Sequence, residues 1–157
     1  MRDMILVRPD SFLTEWYHNK IFFSGFWSWV VAQTLKVCLG IMREKRFNFK
    51  WFVGSGGMPS SHAALASGLT TSIGVLHGFD SGLFAMAFAF AVVTMFDAQG
   101  VRRQSGKQAE ALNKILEDLY AHKGLLEDRL KELFGHSPNE VFVGGFVGIM
   151  VALFISR

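Results

Sequence analysis

Four short stretches of this chain carry side chains that could handle an anion. Lys36 and Arg43 stand seven residues apart, two turns of a helix, and so share one face. Lys36 lies inside an apolar run, where a cation is costly and normally turns toward a polar interior. Arg43, nearer the end of the run, could equally snorkel to an interface. The second stretch, SGGMPSSH at 55–62, reads as a glycine-rich loop running into a helix. Ser60 or Ser61 would cap that helix, its first N–H groups would attract an anion, and His62 would sit in the first turn. The third, FDAQGVRR at 96–103, sets Asp97 beside Arg102 and Arg103, whose guanidinium forks suit phosphate oxygens. The fourth, GHSPNE at 135–140, is a capping box with Pro at the first helical position. Glu140 could do no more than cap, but it also falls four residues after His136, where a carboxylate can hold an imidazole.

These groups span more than 100 positions, so the elements between them must bring them together. A bilayer core of roughly 30 Å needs about 20 mostly apolar residues per helix. Four segments qualify: Ile21 to Met42, Ser60 to Gly78, Ser81 to Ala98 and Pro138 to Ser156. An even number of spans returns the chain to the side where it started. The end of span one, the start of span two, the end of span three and the start of span four then meet on one side, called side B here. All four anion-handling stretches fall at those points. The second span is the least apolar, so lipid should not surround it. It carries Ser60, Ala64, Gly68 and Ser72 at four-residue spacing, and span four carries Gly144, Gly148 and Ala152. Such stripes let helix backbones approach closely in a membrane, and that structural role suffices for them.

The expected fold class is therefore an all-α integral membrane bundle of about four transmembrane helices. Composition agrees: half the residues are hydrophobic, 18% are charged, and mean hydropathy is +0.28. Between Lys50 and Arg102 the only charged side chains are Asp80 and Asp97. This argues against a disordered chain and, despite a net charge of +3, against a nucleic-acid binder. Cys38, the single cysteine, rules out a disulfide framework and reads as a packing residue. Residues 1–19 form an N-terminal segment with too short an apolar run for a signal peptide. Residues 105–134 are amphipathic, with Leu112, Leu116, Leu119, Leu126, Leu130 and Leu133 on one face and a break near Gly124. They read as a surface helical insertion, with a homodimer seam as the alternative. Eleven Lys and Arg side chains lie in side B loops or at their edges, against four on side A, so side B should face the cytoplasm. His18, His77 and His122 lack polar company and read as structural or solvated.

PSSH at 59–62, followed by GHSPNEVFVGGFVGI at 135–149, resembles the type-2 phosphatidic acid phosphatase (PAP2) superfamily. More narrowly, residues 20–157 resemble its divergent branch of small membrane proteins, related to acid phosphatases and vanadium haloperoxidases. The superfamily pattern is Lys-x6-Arg-Pro, then Pro-Ser-Gly-His, then Ser-Arg-x5-His-x3-Asp. Lys36 and Arg43 match the first element, with Glu44 in place of Pro. Pro59, Ser60 and His62 match the second, with Ser61 for Gly; His136 and Glu140 match the third, with Glu for Asp. Arg102 and Arg103 precede His136 by more than thirty residues, across the amphipathic insertion.

The resemblance implies a phosphatase that needs no metal or other cofactor and acts on a lipid phosphate. His136 would be the nucleophile, Glu140 its orienting carboxylate, and His62 the general acid and base. Lys36, Arg43, Ser60, Ser61 and one of Arg102 and Arg103 would bind the phosphoryl oxygens. Phosphatidate, phosphatidylglycerophosphate and a prenyl phosphate fit a site at the bilayer edge, with membrane lipids as its surroundings. The rival expectation is a non-catalytic protein that binds or moves an anionic lipid.

Overall fold

The structure is a computed structural model and describes residues 16–45, 57–120 and 136–157. The described residues form five helices and no strand: α1 (Lys20–Glu44), α2 (Ser61–His77), α3 (Gly82–Gln99), α4 (Val101–Tyr120) and α5 (Pro138–Ile155). Local chemistry sets the boundaries. Asn19 caps α1 by accepting from the Phe22 N–H at 3.0 Å, and Lys45 ends it in the left-handed region. Ser60, Ser81 and Ser137 cap α2, α3 and α5 in the same way. Gly78, at φ +90°, takes the chain out of α2 into the short turn before α3.

Side chains sort in reverse of a water-soluble protein. The buried apolar positions are small, chiefly Ala32, Ala63, Ala64, Ala91 and Ala152, and buried serines stand among them. The large apolar groups, including Phe88, Phe90, Phe142 and Phe154, point outward. Lipid is as apolar as a leucine, so nothing drives large side chains inward, and close backbone packing governs the interior. The molecule is an all-α helical membrane bundle.

At its centre is α2, which packs against α1, α3 and most extensively α5. The four-residue stripes carry that packing as expected. Ser60, Ala64, Gly68 and Ser72 are all buried, and so are Gly144, Gly148 and Ala152. A Cβ on Gly148 would collide with the Ala64 carbonyl, and one on Gly68 with the Ser28 side chain. The buried hydroxyls stitch the helices together: Ser67 donates to the Gly145 carbonyl at 2.9 Å, Thr70 to that of Ala87 at 3.1 Å, and Ser28 to that of Gly148 at 3.3 Å.

Three helical stretches, Lys20–Arg43, Gly82–Gln99 and Pro138–Ile155, are long and apolar enough to cross a membrane. The fourth expected span, α2, is shorter, at 17 residues. Protein rather than lipid surrounds it, so its exterior need not be apolar. Two other expectations change. Cys38 is exposed on the outer surface of α1 instead of packed inside, because that surface of the apolar run faces outward. The amphipathic segment begins earlier than expected: α4 starts at Val101, directly after Gly100, the residue that caps α3. Leu112 on its predicted leucine face is exposed, and residues 121–134 lie outside the described residues.

Candidate active site

The helix directions put the predicted residues at one end of the bundle. Two backbone hydrogen bonds pin that end: the Ser60 N–H donates to the Glu140 carbonyl at 2.9 Å, and the His136 N–H to the Ala98 carbonyl at 3.1 Å. The starts of α2 and α5 and the end of α3 therefore meet, as span parity requires. At the opposite end the hydroxyls of Ser72 and Ser156 lie 3.0 Å apart.

His136 is 1% exposed, the bulkiest fully buried side chain among the described residues. Its Nδ1 lies 2.9 Å from Glu140 Oε2, one helical turn away across the start of α5. An ionised carboxylate only accepts, so Nδ1 is the donor, and in the neutral ring Nε2 keeps its lone pair. Nε2 is buried and has no hydrogen-bond partner. The same Glu140 oxygen accepts from the Ser137 N–H at 3.2 Å, and the Ser137 hydroxyl accepts from the Glu140 N–H at 3.4 Å, completing the capping box. Capping and holding the imidazole are thus one arrangement. The His62 ring, in the first turn of α2, has its centroid 6.3 Å from that of His136.

Lys36 is 6% exposed, within electrostatic reach of Glu140. The loop before α2 covers its stem: a Cβ on Gly57 would stand 3.6 Å from Lys36 Cγ, and Gly57 sits at φ +87°. The left-handed backbone, not lack of room, is what calls for glycine here. Ser60 is fully buried and largely committed to the scaffold, its N–H tied to α5 and its hydroxyl accepting from Ala63 at 3.4 Å. Ser61, beside it, is also buried. Arg43 is exposed in the last turn of α1, where its charge complements the helix C-terminus, and it is not gathered with the buried set. Arg102 and Arg103 fall in the first turn of α4, just beyond α3, with side chains outside the described residues. Asp97 is half-buried in the last turn of α3.

Gln33, absent from the sequence-based set, is buried one turn before Lys36 on the same side of α1. Its signal was a second polar residue inside an apolar run. His18 and His77 are exposed, and His122 lies outside the described residues.

The sequence profile of the divergent PAP2 family matches residues 17–151. This chain belongs to that family. The stretch matched to the divergent PAP2 family contains Lys36, the Pro59–His62 segment, His136 and Glu140. An uncharacterized membrane protein of Bacillus subtilis (strain 168), YuiD, is 40% identical over 138 residues, covering 81% of this chain and 87% of the relative. No solved structure matches the chain.

Proposed function

We propose that this divergent PAP2 membrane protein hydrolyses a lipid phosphate monoester through a phosphohistidine on His136. One observation carries the reading: Glu140 holds Nδ1 of His136, and Nε2 is left buried without a partner, with a second imidazole 6.3 Å away between ring centres. That gap suits one phosphoryl group. Nε2 attacks phosphorus, an N–P bond forms, and the P–O ester bond breaks. His62 gives its proton to the departing alkoxide. It then takes a proton from water, the resulting hydroxide attacks phosphorus, and the N–P bond breaks to return the lone pair to Nε2. Glu140 stabilises the positive charge that develops on the imidazole. Lys36 and the start of α2 at Ser61 offset the charge on the phosphoryl oxygens, with Arg43 and one of Arg102 and Arg103 as further candidates.

A site at one end of the bundle lets a lipid keep its chains in the membrane and present its headgroup at the edge. The Lys and Arg excess favours a cytoplasmic side B, and with it a newly made precursor such as phosphatidate or phosphatidylglycerophosphate, or a prenyl phosphate. The test is phosphate release by detergent-purified protein from a panel of these lipids, with EDTA present. Release that survives EDTA and depends on His136 is the expected result; no release from any of them would defeat the reading. The near-complete burial of His136 favours a second reading, a protein that binds an anionic lipid without turnover. It predicts saturable lipid binding and no release in the same assay.

A further inference from the structure

Between α3 and α5 lies an apolar cavity of about 430 Å³. The two helices meet near His136 and touch little elsewhere. Val92, Met95 and Phe96 of α3 form one wall, and Val141, Phe146 and Ile149 of α5 form the other. Val92 and Phe96 stand four residues apart on α3, as do Val141, Gly145 and Ile149 in turn on α5, so each set follows one helical face. Ser67 of α2 also lines the cavity, but its hydroxyl is already given to the Gly145 carbonyl, so it asks nothing of an occupant. Gly145 widens the groove: a Cβ there would stand 3.7 Å from the Met95 methyl, with nothing nearer.

The groove also has a direction. One end is bounded by Gln99 and Pro138, the first next to Ala98, whose carbonyl binds the His136 N–H, and the second two residues after His136. From there it follows α5 to Ile149, about 16 Å at 1.5 Å of rise per residue. A second apolar groove, lined by Trp27, Val31, Met150 and Phe154, lies toward the other end of α5, away from the histidines. Of these two grooves, the first ends beside the candidate site, at residues one and two positions from Ala98 and His136. An anion-handling end beside an apolar lane between two spans fits an amphiphile with a phosphate head.

We propose that the α3–α5 groove seats one hydrocarbon chain of a lipid phosphate whose headgroup enters between His62 and His136. The inference rests on the phosphatase reading only for the place of the headgroup. A chain held here sets the depth and orientation of the phosphate before attack.

The experiment uses the full-length protein in detergent and a nonhydrolysable phosphonate analogue of phosphatidate with a diazirine in one acyl chain. Photolysis and peptide mapping locate the adducts. Adducts should concentrate on residues 92–99 and 141–149. Unlabelled phosphatidate should compete with them better than phosphatidylcholine of the same chains. Filling the groove with Gly145→Leu, or with Val92→Phe from the opposite wall, should cut them by roughly tenfold. The same variants should lower the kcat/KM ratio of long-chain over short-chain phosphates. Adducts mainly around Trp27 and Phe154, or equal competition by phosphatidylcholine, would overturn the assignment. Because labelling needs no turnover, groove adducts without phosphate release would defeat the phosphatase and keep the lipid seat. Release without groove adducts would do the reverse.

Discussion

Glu140 Oε2 sits 2.9 Å from His136 Nδ1 while accepting the Ser137 N–H that closes the capping box. The turn that starts α5 therefore also sets the imidazole's tautomer and direction. His136 precedes the helix and Glu140 lies in its first turn, so neither can move without disturbing the cap.

Glu140→Gln separates the two roles. Glutamine keeps the capping-box geometry, so the melting temperature of the purified protein should hardly change. It removes the charge that steadies a histidine cation, and phosphate release should fall by roughly 10²-fold or more. Unchanged release would leave Glu140 a cap and nothing else.

His136→Ala should abolish turnover. The bond from its backbone N–H to Ala98 persists, so the cost to folding should be about 1–3 kcal/mol, the scale of one lost buried polar interaction. In the His62→Ala protein, slow first-step chemistry should leave acid-labile radiolabelled phosphate on His136, read by peptide mapping. Label on any other residue would refute the assigned nucleophile.

Lys36→Met tests whether the buried cation serves stability or substrate. Methionine keeps the apolar stem and removes a charge that is expensive to bury, while Glu140 keeps His136 and Ser137. Thermal stability should hold or rise, and KM for a lipid phosphate should increase by roughly tenfold or more. A drop in stability with KM unchanged would make Lys36 a structural ion-pair residue.

Adjacent glycines of α5 should respond oppositely to a single methyl group. At Gly144 the added Cβ would collide with the Ser60 backbone, which cannot shift without moving the start of α2. Gly144→Ala should therefore cost about 1–3 kcal/mol in a denaturation assay. At Gly145 the nearest atom is the flexible end of Met95 at 3.7 Å, and Gly145→Ala should leave stability within about 0.5 kcal/mol of the parent. Equal losses at both would mean that α2 and α5 do not pack as described.

Cysteines introduced one at a time into residues 44–58 and 99–136, in a Cys38→Ser background, test orientation. They should resist a membrane-impermeant thiol reagent in intact cells and react after lysis. Rapid labelling in intact cells would put side B outside, and with it the proposed substrate.

The amino-acid sequence by itself determined the helices, their order and the end at which the polar residues gather. Apolar run length, serine caps and span parity are properties of the chain, and the bilayer allows few alternatives. His136 and Glu140 were legible as a pair because four residues make one helical turn. Tertiary packing decided the rest. Position in the apolar run set Lys36 apart from Arg43, but only packing laid Gly57 over the Lys36 stem and left Arg43 exposed two turns later. Ser60 became a scaffold residue only when the α5 backbone reached its N–H, and Cys38 turned outward because α2 and α5 took the other side of α1. The α3–α5 groove had no signature at all, because its walls read as ordinary apolar helix faces until two helices that meet at one end are found to part along their length.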